Sequence, residues 1–476
     1  MSRAGIKSIA KNAAYLSVAK AVASFSRVIY AIALAKFLGP ELYGMFNLGM
    51  SWYLLFLPIS MLGLDSILIR EVGRDRSSAS TLIGHALALR GLSGFLTSLI
   101  CFLLGFFLET NSTAKLLLFI FSLALFGRSL SFWVYAIFKA YEQSVHVFRQ
   151  ETSFRLLEVL LGLALLLSGG GLIGIALVHA SIWLVQGLLG LYFVRKHIVR
   201  VMPTWDRPAI LHLLKQGLPF VISAFLVAWV MQGGTLVYRG LEGYTAELGM
   251  FALAMQALLI LGGIVAELSA AALPVLSRSV GRDDGKSGFY IDVILRSGFL
   301  LGGVLTISGI ALGPLIVDWI FGVQYQQVAV LLPWTLFWVV AYFFMTNLNS
   351  VIIAIGNYGW IAWVNLVGAI AFTLVVFPLH YYFGILGVVW ATGIGLFAVN
   401  VSQLYLVRRY YRIDFDRAVL RPIGVVMGGI LLSANLSGMN DWGVLLFGLL
   451  VLVLATLVTG VIRKAEIQHI LGFIGK

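Results

Sequence analysis

Cysteine is almost absent. The single Cys101 lies in an apolar run, so a disulfide framework and a cysteine-ligated metal site are both excluded. Charge is scarce too. Asp, Glu, Lys and Arg make up 11% of the 476 residues, about half the share found in soluble domains. Long polar stretches are missing, the longest being about 15 residues, too short for a soluble domain. There is no His-Glu-x-x-His, no Gly-x-Ser-x-Gly and no Cys pair. Gly281-Arg-Asp-Asp-Gly285-Lys286-Ser287 superficially looks like a phosphate-binding loop. It has one residue too few between its glycines, and lacks the preceding strand and following helix that such a loop needs. It reads as a turn. No metal and no cofactor are expected, and any pumping would draw on an ion gradient, the membrane potential or the substrate gradient. No cleavable signal peptide is expected either, because the first apolar run is too long and no small-residue cleavage site follows it.

Apolar sequence fills the chain instead. Hydrophobic residues make up 60% of it, far more than one soluble core can hide. A bilayer accommodates this, since about 20 apolar residues cross it as a helix with every backbone group bonded internally. About fourteen such stretches are predicted, at 13–37, 45–69, 82–107, 114–138, 153–168, 172–194, 210–237, 248–273, 289–313, 328–355, 360–380, 385–407, 422–436 and 442–462. The expected fold class is therefore an all-α polytopic membrane protein.

The net charge of +13 would fit nucleic acid if it were clustered on a soluble surface. It is not. Of 33 Lys and Arg, 24 fall at the two termini and in the loops of one side, and only Lys115 and Arg239 fall on the other. That is the bias which places the basic side in the cytoplasm. Both termini are expected there, in the cell (inner or plasma) membrane, and nucleic acid is excluded as a partner.

An internal repeat is visible. Leu42-Tyr43-Gly44-Met45-Phe46-Asn47-Leu48 resembles Glu247-Leu248-Gly249-Met250-Phe251-Ala252-Leu253, and Arg70-Glu71-Val72-Gly73-Arg74-Asp75 resembles Arg278-Ser279-Val280-Gly281-Arg282-Asp283. Six predicted spans separate the copies, so both halves have the same orientation, a plan known from transporters. The predicted division is a six-helix lobe at 1–200, a second at 201–412, and two further helices at 413–476.

Ionisable residues inside a span are expensive unless they face protein or water. Arg27 and Arg128 lie deepest, and a cavity role is favoured for both. Lys20, Ser24 and Arg27 share one face of the first helix, although Lys20 also fits a side chain that snorkels to the interface. Arg90 and Arg296 lie about two turns in from the basic side. Arg296 is four residues after Asp292 and reads equally as a substrate contact or an intrahelical pair; Arg155 and Glu158 read as such a pair. The expected substrate-contacting set is thus Arg27, Arg128, Lys20, Arg90 and Arg296. Asp65 and Glu267 are the acidic residues that either couple an ion or pair with the basic loops nearby. Gln232, Gln256, Asn347, Asn349, Asn365 and Asn400 would bind sugar hydroxyls or join helix to helix.

The segment Arg27-Val-Ile-Tyr-Ala-Ile-Ala-Leu-Ala-Lys-Phe-Leu-Gly39-Pro40-Glu41-Leu-Tyr43-Gly44 resembles the first helix and following loop of polysaccharide-biosynthesis membrane proteins, the Wzx-like lipid-linked oligosaccharide flippases. The Arg70–Asp75 segment is also typical of them. The resemblance implies the multidrug/oligosaccharidyl-lipid/polysaccharide exporter fold, working by alternating access. It implies a cationic cavity for the pyrophosphate of an undecaprenyl-linked repeat unit, with the lipid tail left among membrane lipids. Arg27 matches the family's basic position on helix 1. Two other readings stand beside it: a cation-coupled exporter of organic cations on the same fold, and an integral-membrane polymerase or ligase. Short loops speak against the enzyme. Polymerase and glycosyltransferases of the same pathway are the partners implied.

Overall fold

The computed structural model describes residues 3–76, 79–280, 286–356, 359–436 and 440–461, with side chains described except at 3–10, 13, 265–280, 286–287, 289–290 and 354. No strand occurs among the described residues. The helices are α1 (Arg3–Met61), α2 (Leu64–Arg74), α3 (Ala79–Leu108), α4 (Ser112–Ala140), α5 (Ser144–Leu167), α6 (Leu172–Phe193), α7 (Arg207–Glu242), α8 (Ala246–Val280), α9 (Lys286–Phe321), α10 (Gln326–Ile355), α11 (Gly359–Val407), α12 (Arg421–Ala434) and α13 (Asp441–Val458).

Among the described residues, eleven helical segments are long and apolar enough to cross a membrane, against the fourteen spans expected. The chain is a multi-pass membrane protein. The difference in number has three sources. α1 and α11 each run through a bend at a glycine, Gly39 (φ 74°, ψ 169°) and Gly384 (φ 55°, ψ −136°), so each counts once where two spans were expected. The third source is α5, whose Glu151, Arg155 and Glu158 make it too charged to qualify. The bend at Gly39 uses a backbone conformation that glycine alone adopts cheaply. Pro40 then opens the next helical stretch, where its missing N–H costs nothing.

By contact the chain groups into two compact units, Met1–Ala252 and Leu253–Lys476. In the first, α1 packs against α3, α4, α5 and α7, and α4 packs against α6. Its core surrounds Leu68, Ile83, Trp133 and Ile137. In the second, α9 packs against α10, α12 and α13, and α10 against α11, around Ile291, Leu348, Val407 and Val426. Asn400 Nδ2 donates to the Ala341 carbonyl (2.9 Å), and Gln403 Nε2 to Asn349 Oδ1 (2.8 Å). These amides join α11 to α10.

Two glycines let α1 and α8 approach closely inside the first unit. Gly44 and Gly249, equivalent residues of the two copies, face each other. A Cβ at Gly44 would stand 2.8 Å from the Gly249 amide nitrogen, and one at Gly249 would overlap the Pro40 carbonyl oxygen. Nearby, Glu109 at the end of α3 accepts hydrogen bonds from both Arg239 and Tyr244. Arg239, one of the two basic residues on the charge-poor side, is thus in an ion pair.

Candidate functional site: a buried charge network in the first unit

The network starts on α5. Glu151, Arg155 and Glu158 are spaced four and three residues apart, so they line one helix face. That face turns toward α1, α4 and α6. The approach of α4 to α6 is set by two glycines. A Cβ at Gly127 would stand 2.5 Å from the Leu184 nitrogen, and one at Gly187 2.7 Å from the Gly127 carbonyl oxygen. Small residues let helix backbones meet, and this contact brings His179, Trp183 and Gln186 beside Arg128.

A continuous polar chain results. The Tyr135 hydroxyl donates to Glu151 Oε2 (2.5 Å), and Gln186 Nε2 donates to the Tyr135 hydroxyl. Arg155 Nη2 donates to Gln186 Oε1 (2.9 Å), and its Nη1 pairs with Glu158 Oε2. His179 Nδ1 closes the chain, 2.5 Å from Glu158 Oε1. The expected pairing of Arg155 with Glu158 is present, and it belongs to this larger assembly. Gln186 is fully buried, and Glu158 and His179 are each 5% exposed. An uncompensated charge at such depth costs several kcal/mol, about 3–5 when one partner of a buried pair is lost, so the members require one another.

Arg128 borders this chain at mid-length of α4. At 1.5 Å per residue it lies roughly 20 Å from either helix end. It donates to the Tyr53 hydroxyl, and its guanidinium sits over Trp183 (4.8 Å), Phe132 (5.4 Å) and Tyr53 (5.5 Å). Arg155 sits over the same Trp183 at 4.0 Å. Arg27 is exposed and within electrostatic reach of Arg128, Tyr53, Glu151 and Arg155. Several polar atoms here are buried without a hydrogen-bond partner: Tyr30 Oη, Arg128 Nε, Arg155 Nε and His179 Nε2.

Lys20 lies on the same stripe of α1, nearer its N-terminal end. It lines a cavity of about 310 Å³ together with Asp65, Tyr135, Lys139 and Glu151. The cavity and the polar chain meet at Tyr135 and Glu151. Arg90 is 1% exposed, pairs with Asp65 of the cavity lining and donates to Ser129 (3.4 Å). Arg296 belongs to the second unit, 4% exposed, and donates to the Asp292 carbonyl (3.2 Å) and the Val461 carbonyl (2.6 Å). The Glu267 side chain lies outside those described. Among the described residues, no cluster of three or more His, Cys, Asp or Glu could hold a metal ion.

His179, Gln186, Glu151 and the tyrosines of this network were not singled out in the sequence. The spacing of Glu151, Arg155 and Glu158 along one helix face is a usable signal. For His179 and Gln186 no local signal exists, since each is a lone polar residue in an apolar helix.

The comparisons with known proteins agree with this architecture. The fold is similar to that of the lipid II flippase MurJ in an inward closed conformation, at 16% identity and TM-score 0.68 over 94% of this chain and 97% of that one. It is also similar to the eukaryotic MATE transporter AtDTX14, at 17% identity and TM-score 0.62 over 88% and 99%. A third match is a MOP superfamily transporter from Pyrococcus furiosus, at 15% identity and TM-score 0.55 over 85% and 95%. No curated protein matches the sequence. The model of one family, described as polysaccharide biosynthesis protein, matches residues 9–280, more than half of the chain, and the protein belongs to that family.

Proposed function

We propose that this protein is a flippase. It moves an undecaprenyl pyrophosphate-linked oligosaccharide repeat unit from the cytoplasmic to the outer leaflet of the cell membrane by alternating access. The observation that carries this reading is Arg128, midway along α4 and over the aromatic rings of Tyr53, Phe132 and Trp183, with Arg27 of α1 within electrostatic range. Phosphate and hydroxyls have no hydration in hydrocarbon, and carrying them across bare lipid is prohibitive. Guanidinium groups engage phosphate through paired hydrogen bonds, and flat aromatic faces suit sugar rings. Lys20, in the adjoining cavity, would meet the anion first. The two repeated lobes, 1–200 and 201–412, would supply the two halves of the motion, with 413–476 as an addition. The lipid tail stays in the bilayer. Glycosyltransferases would build the substrate and a polymerase would consume it; the flippase itself breaks no bond.

The organic-cation reading needs an available carboxylate at depth. In the first unit Glu151 and Glu158 are committed to Tyr135, Arg155 and His179, which favours an anionic cargo.

The test is leaflet accessibility of a lipid-pyrophosphate oligosaccharide in proteoliposomes containing only this protein, read with a membrane-impermeant sugar-modifying enzyme. Protein-dependent exposure is expected. Its absence under all imposed ion gradients would sink the proposal and turn attention to drug efflux.

A further inference from the structure

The polar chain ends on a histidine that phosphate binding does not require. His179 Nδ1 faces Glu158 Oε1 at 2.5 Å. Glu158 is also held by Arg155, which keeps it a carboxylate and therefore an acceptor. A neutral imidazole there carries its hydrogen on Nδ1, leaving a bare lone pair on Nε2. Nε2 is buried and has no hydrogen-bond partner. The ring is enclosed by Phe121 (5.6 Å), Tyr53 (5.8 Å), Phe46 (6.4 Å) and Trp183 (6.4 Å). A proton on Nε2 makes an imidazolium between a carboxylate and aromatic faces, both of which favour a cation.

What opposes that proton is the rest of the cluster. Around the pair stand Arg155 from α5, Arg128 from α4, and Tyr30 and Tyr53 from α1; Glu151, Tyr135 and Arg27 are the next members of the cluster, reached through Arg155 and Arg128. Three arginines stand against two glutamates, so the cluster is already positive before His179 is charged. An anion beside Arg27 and Arg128 removes this opposition.

We propose that the Glu158–His179 pair is a proton-binding site linked to the anion site at Arg27 and Arg128, so that the anionic substrate and a proton are taken up together. The inference rests on the flippase reading above. Linkage is reciprocal: whatever factor the anion adds to proton affinity, the proton adds to anion affinity. Between such sites the factor is typically about 5–150-fold.

The test is calorimetric. The probe is a water-soluble, short-chain isoprenyl pyrophosphoryl sugar, whose diester phosphates do not titrate near neutrality. Its binding to the purified full chain is measured in buffers of different ionisation enthalpy, from about pH 6 to about pH 8. Net proton uptake is expected, with binding weakening about tenfold or more across that range. His179→Gln and His179→Phe are expected to bind the probe with no uptake and a flat pH profile. Binding without uptake by the wild-type protein overturns the linkage and leaves the flippase reading intact. Uptake that persists in a folded His179 variant also overturns it. No binding at any pH overturns the flippase reading, and this inference with it. Because the wild-type measurement is decisive by itself, a variant that fails to fold leaves the proposal open to refutation.

Discussion

At the scale of single residues, what matters is whether a buried charge has a partner. Among the described residues Arg128 pairs with no carboxylate: it donates to the Tyr53 hydroxyl and lies over aromatic rings, and in the proposed function its guanidinium meets phosphate. Arg128→Ala should severely reduce export, and Arg128→Lys should retain part of it, because an ammonium keeps the charge and loses the planar pair of donors. Equal export by all three proteins would refute a phosphate contact. Arg27→Ala should abolish export while the protein still reaches the membrane in normal amount; normal export at normal expression would remove Arg27 from the site. Asp65 contrasts with both. Its partner Arg90 is 1% exposed, so Asp65→Asn strands a buried cation. The expected cost is about 3–5 kcal/mol of stability, read as a lower thermal midpoint in detergent. Unchanged stability with lost ion dependence of transport would instead make Asp65 a coupling group.

At the scale of helices, close backbone approach decides which side chains meet. The contact of Gly127 with the backbone at Trp183 and Leu184 holds α4 against α6 and so sets the distance between Arg128 and Trp183. Gly127→Ala should destabilise the protein by about 1–3 kcal/mol, the usual cost of overpacking. Gly91 on α3 is the control, since a Cβ there meets nothing within 4 Å. Gly91→Ala should be neutral or stabilising by about 0.5–1 kcal/mol. Thermal unfolding followed by tryptophan fluorescence measures both, and equal effects would remove the packing argument. At the other end of the bundle, burial raises the Tyr244 phenol above its ordinary range. It therefore stays protonated and donates to Glu109. Asn111 is likewise occupied: its side chain accepts from the Thr113 and Ala114 amides (2.8 and 3.1 Å) and caps α4.

At the scale of the whole molecule, orientation follows from charge. The basic bias predicts that the loops at 70–76, 139–149 and 195–207 face the cytoplasm. A cysteine introduced at Ser112, in a Cys101→Ser background, should react with an impermeant maleimide added to intact cells. One introduced at Gln143, on the connection of α4 to α5, should react only after permeabilisation. The reverse pattern would invert the topology and, with it, the direction of transport proposed.

Much of this protein is legible in its sequence because hydrophobic length and loop charge are local properties. Whether 20 consecutive residues are apolar, and whether the next loop is basic, needs no knowledge of neighbours. Membrane class, all-helical fold and the repeat at Gly44 and Gly249 come from that level. So does the depth of Arg27 and Arg128, which lie well inside long apolar stretches. The number of spans differs, eleven against fourteen, because the two helices joined at a glycine bend such as Gly39 count as one and α5 is too charged to qualify. Which charges pair is a different kind of question. Arg90 and Asp65 are 25 residues apart, and His179 and Glu158 are 21 apart. These residues meet because of how each helix is rotated and which helix lies beside it. Helix rotation is fixed by packing, through contacts such as that between Gly127 and Gly187. Tertiary structure therefore decided that Arg90 is held by Asp65, that Arg128 donates to Tyr53 among aromatic rings, and that a lone histidine in an apolar helix ends a buried chain of charges.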